Sequence, residues 1–146
     1  MDGPVTTPHE ILNPETLARP IGFSHAVVAA EGRTVYLGGQ AALDTDGNLV
    51  SEDLVDQFSQ AAANVVEALT AAGAAPEHLV SMQIFVTDVA AYKARLDDLA
   101  TAYRTHFGKH YPAIALLGVN ELFDPAAQVE LVCIAVVPDH SSQNQR

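Results

Sequence analysis

The chain has 146 residues, 49% of them hydrophobic, which is the size of one compact domain that can bury a core of its own. Seven Lys and Arg stand against eighteen Asp and Glu; the formal charge of -11 repels a phosphate backbone, no basic stripe offsets it, and nucleic acid is excluded as an expected ligand. Eight prolines, nine glycines and one cysteine exclude a fibrous or disulfide-framed chain, and no apolar run reaches the length of a membrane span. The opening MDGPVTTPHE has neither the basic patch nor the apolar centre of a secretory leader, so a cytoplasmic location is expected.

Residues 1–20, with Pro4, Pro8, Pro14 and Pro20 and no sustained period, read as an extended arm. FSHAVVAA and RTVYLGGQAAL are β-favouring runs around Gly32 that predict an antiparallel hairpin, and DTDGNL supplies a second turn through Asp46 and Gly47. From Glu52 to Ala72, Leu54, Val55, Phe58, Ala61, Val65, Val66 and Leu69 recur on one helical face, with Ser51 expected as N-cap and Gly73 as the stop. In LVSMQIFVTDV, Met82, Ile84 and Val86 alternate with Ser81, Gln83 and Thr87, the period of a strand with one covered face.

The spacing of Tyr92, Leu96, Leu99, Ala100, Tyr103 and Phe107 predicts a second helix over 90–107, capped by Asp88 and ended by Gly108. Strands over 113–119 and 127–137 complete the order β-β-α-β-α-β-β: an α+β domain over 21–138, its mixed sheet carrying two helices on one face, with residues 139–146 as a flexible tail. The other sheet face has no element left to cover it. Strand positions such as Val35 and Leu37, or Leu131 and Cys133, are expected to pack on another copy, so a homo-oligomer follows.

Glu130 lies between Val129 and Leu131 in an apolar strand, a setting that suits a carboxyl taking or giving a proton; the alternative is an interface carboxylate bonded to backbone amides. Cys133 follows three residues later, faces the opposite way and reads as core, since an apolar strand raises a thiol's pKa. His106 and His110 have metal-pair spacing, but Gly108 breaks the helix between them and no third ligand appears, so a solvated terminus is expected and no metal. His25 shares a strand face with Phe23 and lines a cleft or serves structure. Tyr103 packs first, its hydroxyl reaching toward a cleft rim, and Asn120 holds a turn at a strand end.

The order of IGFSHAV, VYLGGQAALDTDGNLV, QAAANVVEALTAAGA, VSMQIFVTDVAAY and a terminal YPA…GV…VELVCIAVV resembles the reactive intermediate deaminase (Rid, or YjgF) family over residues 20–137. The resemblance implies a chorismate mutase-like fold and a barrel-like homotrimer with three intersubunit clefts. It also implies cofactor-free hydrolysis of a small enamine or imine. The family glutamate associated with the attacking water falls on Glu130, and the arginine that clamps a substrate carboxylate falls on Ile114. A cleft tyrosine falls on Phe23, and a small hydroxyl residue on Gly38, ahead of the retained Gly39 and Gln40.

An isoleucine cannot form the paired charge-assisted hydrogen bonds of a guanidinium, so the cleft is expected to take a more apolar substrate unless another cation reaches it. Arg19, Arg33, Lys93, Arg95, Arg104 and Lys109 are the cations available for that. The expectation is a divergent Rid-family acid/base catalyst, with hydrolysis, cyclisation, condensation or tautomerisation in a specialised biosynthetic pathway all open to it. The alternative is a non-catalytic small-molecule-binding or interaction module that keeps the trimer.

Overall fold

The computed structural model describes residues 6–139; the first five residues of the arm, and the tail after Asp139, lie outside the described residues. Strand β1 (Glu10–Leu12) pairs antiparallel with β2 (Ala26–Val28) as a small separate sheet. A four-stranded sheet of order β3-β6-β4-β5 is built from β3 (Gly32–Tyr36), β4 (Leu79–Val86), β5 (Ala113–Gly118) and β6 (Val129–Pro138). β4 and β5 run parallel and the other pairs are antiparallel, so the sheet is mixed as expected. The expected hairpin between the first two β runs does not form, because β2 joins β1 while β3 joins β6. Gly32 permits this: a Cβ there would run into the Val137 carbonyl of β6.

Helix α1 (Leu54–Ala71) buries Leu54, Phe58, Ala61, Val65 and Leu69, the stripe the periodicity indicated. Its N-cap is Asp53, not Ser51: the Asp53 carboxylate accepts from the Asp56 amide at 3.1 Å, while Ser51 Oγ accepts from the Asp53 amide at 3.0 Å and fixes the approach. Gly73, at φ 73°, ends the helix in the left-handed conformation that lets the chain turn into β4.

The single second helix expected over 90–107 is two, α2 (Val89–Lys93) and α3 (Leu96–Phe107). Asp88 caps the first, its Oδ1 accepting from the Ala91 amide at 2.9 Å. Arg95 breaks the run: its backbone leaves the helical region, and its guanidinium donates to Asp53 at 3.2 Å and to Asp98 at 3.3 Å. The break rotates Leu96 out of the core, where it stays 53% exposed, while Leu99, Tyr103 and Phe107 remain buried.

α1 and α3 cover one sheet face, onto which β4 and β6 point Met82, Ile84, Leu131 and Cys133. Alternation along the strands leaves the opposite face to Tyr36, Gln83, Phe85, Glu130, Val132 and Ile134, with no element of the described chain over it. The uncovered face is therefore real, but Val35, Leu37, Leu131 and Cys133 are not on it; Leu37, Leu131 and Cys133 are 8% exposed or less inside the chain's own core, and Val35 packs against that core. Among the described residues, no helix is long and apolar enough to cross a membrane.

Two tests of this packing follow. Phe58→Ala should cost about 3–5 kcal/mol in urea unfolding, because a fully buried ring at the α1–sheet contact leaves a cavity. Burial also holds His78, His106 and His110 below the ordinary imidazole value of 6.5, so the unfolded chain binds their protons first as pH falls. Stability is accordingly full above 6.5 and is lost as pH drops through the depressed folded values. His110→Gln should flatten that slope between pH 7 and 5 in unfolding titrations, without removing it, since His78 and His106 remain.

Candidate functional site

A cavity of about 680 Å³ opens between α3, the edge strand β5 and the segment before β2. Its size is within the roughly 300–1,000 Å³ of small-molecule pockets. The segment is docked by Ser24, whose amide donates to Pro112 O at 3.0 Å and whose hydroxyl donates to Tyr111 O at 2.6 Å, continuing the sheet alongside β5. That places Phe23 in the cavity wall with Ile21 and Gly22. Ile114 and Leu116 of β5 form the wall opposite α3, and Tyr103, Ala100, Arg104 and Asp97 line it from the helix.

Tyr103 and Tyr111 stack at 5.2 Å with planes 12° apart, flooring the end of the cavity where β5 begins. The Tyr103 hydroxyl donates to His110 O at 2.7 Å, so it is held inward instead of at a rim. Burial pushes that phenol far above its ordinary range, which leaves Tyr103 a wall and not an acid.

A second constellation lies on the open sheet face. Between Leu37, whose amide donates to Cys133 O at 3.1 Å, and Gln40, whose amide donates to Leu131 O at 2.8 Å, the first strand spends three residue steps against two on β6. The extra residue is a bulge formed by Gly38 and Gly39, and it brings Gly39 against Glu130. A Cβ on Gly39 would strike the Glu130 carboxylate, so glycine is what lets the half-buried acid lie over the backbone. The Gln40 side chain donates back to Gly38 O at 3.2 Å.

The expected site residues thus fall into two groups. Phe23, Tyr103 and Ile114 line the cavity, and Gly39, Gln40 and Glu130 gather at the bulge. Ile114 pairs with Met82 and faces the helices, whereas Glu130 pairs with Phe85 and faces away from them, so within one chain the two cannot touch one ligand.

His25 is not in the cavity wall. Its ring meets Phe23 edge-on at 5.1 Å, its Nε2 bonds Ala18 O at 2.6 Å, and it orients Phe23 from behind. Asn120 is exposed beyond β5 and outside the cavity wall. His106 and His110 are not a solvated terminus: His106 bonds Ser59 Oγ at 2.8 Å, and buried His110 bonds Leu79 O at 2.8 Å. No group of three or more metal-binding side chains occurs among the described residues. The residues that sequence reasoning left unplaced are Asp97, Arg104 and Leu116; the i, i+3, i+7 spacing of Asp97, Ala100 and Arg104 was the signal that they share a helix face.

A family model described as Endoribonuclease L-PSP matches residues 15–137. A protein of the goat Capra hircus named 2-iminobutanoate/2-iminopropanoate deaminase is 32% identical over 115 residues, covering 78% of this chain and 79% of the goat protein. A mite protein of the same name, from Dermatophagoides farinae, is 31% identical over 133 residues, 90% of this chain and 98% of its own. Among solved structures, YyfB of Yersinia pestis, described as a Rid-family protein of unknown function, superposes with a TM-score of 0.80 at 34% identity, covering 88% of this chain and 98% of that one.

Cys133 separates core from site in a single measurement. It is 1% exposed on the helix side of β6, and burial pushes its thiol up to about 12. The native protein should leave a disulfide reagent such as dithionitrobenzoate unreacted at pH 8 and release one thiol equivalent only when unfolded. Rapid reaction in the native state would place Cys133 at an accessible site.

Proposed function

This chain belongs to the Rid (YjgF) family, and within it we propose an enzyme that hydrolyses an imine or enamine of a predominantly apolar small molecule, at a site shared between copies of the chain. The observation that carries the reading is the division of the candidate residues between the two faces of one sheet. Phe23 and Ile114 line a cavity on the helix side, and Glu130 lies on the uncovered face. A ring of copies brings one chain's open face to its neighbour's cavity mouth at β5, and three such contacts close a trimer.

In that arrangement the reactive carbon sits in the apolar cavity, and a neighbour's Glu130 reaches it from the bulge. The carboxylate takes a proton from water as the oxygen adds to the C=N carbon, then returns it to the nitrogen. Collapse of the carbinolamine gives a ketone or aldehyde and ammonia, with an enamine first becoming the imine by gaining a proton at carbon and losing one from nitrogen. No organic cofactor enters this scheme. The deaminase names of the goat and mite relatives support imine chemistry. The endoribonuclease description of the family model fits this chain poorly, since a charge of -11 repels RNA.

Ile114 turns the specificity away from the smallest 2-imino acids. Their carboxylate would meet an aliphatic side chain at the β5 position where the family resemblance implies a guanidinium. Turnover of 2-iminopropanoate is therefore expected to be slow.

Glu130→Gln should lower turnover by ~100-fold or more while circular dichroism and the oligomeric state stay unchanged, because the amide keeps the shape and loses the base. The shared site has its own test. Ala100→Trp should block the cavity and inactivate, yet co-expression of Glu130→Gln with Ala100→Trp should restore about one quarter of wild-type activity, the fraction of contacts at which each chain contributes its intact half in a random mixture. Inactive mixtures would sink the shared site, and full activity in Glu130→Gln would leave the cavity to a binding module.

A further inference from the structure

The cavity wall along α3 begins and ends in charge. Asp97 and Arg104 both line it, seven residues apart on one face and so about 10 Å apart along the axis. Between them the helix offers Ala100 and Tyr103, and β5 offers Ile114 and Leu116 across the cavity. α3 returns directly into β5, and Tyr103 stacks on Tyr111, so Arg104 lies at the end where β5 begins, beside Ile114, and Asp97 lies at the other.

Arg104 is available for a ligand. It is exposed, and among the described residues its guanidinium has no hydrogen bond or ion pair, whereas Arg95 is committed to Asp53 and Asp98. Among the described residues it is also the cation that lines the cavity. A guanidinium left unpaired at the edge of an apolar wall, in a chain of net charge -11, is the one place in this cavity where an anion is attracted instead of repelled.

We infer that Arg104 is the anion-binding residue of the cavity, and that its ligand is a monocarboxylate with an apolar body, the acid on Arg104 and the body along Ala100, Ile114 and Leu116. Asp97 at the far end refuses a second negative group, which separates monocarboxylates from dicarboxylates. The inference rests on reading this cavity as the substrate site and deepens it. The acid is taken from the helix wall and not from β5, so the reacting carbon lies several atoms from the carboxylate, unlike that of a 2-imino acid.

Isothermal titration with 4-phenylbutanoate and its primary amide tests this on the full-length protein. The acid should bind at least tenfold tighter than the amide, through a planar two-point contact that the amide cannot match in charge. Arg104→Met, which keeps the apolar stem, should erase that preference by weakening the acid alone, and Arg104→Lys should recover part of it. A dicarboxylate of similar length should bind more weakly than the monoacid and gain in Asp97→Asn. No acid preference in the wild type, a preference that survives Arg104→Met, or binding of neither probe would each overturn the inference. Turnover is not read here, so a failure of imine hydrolysis leaves the comparison of acid with amide standing.

Discussion

The two-residue alternation of residues 82–86 in β4 against residues 129–133 in β6 is the constraint on which the site depends. Leu131 and Cys133 must go inward because α1 and α3 offer them an apolar surface, and that commits Glu130, Val132 and Ile134 to the other side. A slip of one residue would bury the acid among aliphatic side chains and expose the thiol, at a cost the domain could not carry. The same register, passed through β4 to β5, turns Ile114 toward the helices. The separation of acid from cavity is thus a consequence of core packing, and it is what the proposed shared site answers.

Two local irregularities convert that scaffold into shape. On the open face, the bulge at Gly38 and Gly39 supplies the space in which the Glu130 carboxylate rests on backbone. On the helix face, Arg95 interrupts what would have been one long helix, and α3 restarts with Leu96 rotated from the core toward the cavity. A continuous helix would keep Leu96 buried and lay its polar side outward; the break leaves an apolar wall facing β5. At the break Arg95 is tied to two carboxylates, Asp53 at the start of α1 and Asp98 in the first turn of α3.

Charge distinguishes this cavity from what the family resemblance implies. The β5 position carries isoleucine, and a guanidinium without a partner among the described residues, that of Arg104, stands on α3. Moving a cation from a strand to the helix opposite changes which atom of a ligand is held and how far that atom lies from the reacting carbon, without altering the fold.

The sequence by itself determined the elements with strong periods and clear stops: the buried stripe of α1, the alternation of β4, the turns at Gly47, Gly73 and Gly108, and that Cys133 and Glu130 point to opposite faces of their strand. These are local, because a helix or strand pattern states which side chains share a face, and a glycine at positive φ marks its own turn. What only the tertiary structure decided depended on contacts between distant segments. β2 paired with β1 and β3 with β6, since a strand's partner is chosen by which edge the fold leaves open and not by nearness in the chain. The helix breaks at Arg95, whose guanidinium there meets Asp53, forty-two residues away, a contact that no local pattern announces. Arg104 was visible in the sequence as one cation among several, and only the packing of α3 against β5 put it, and not Arg33 or Lys93, in the cavity wall.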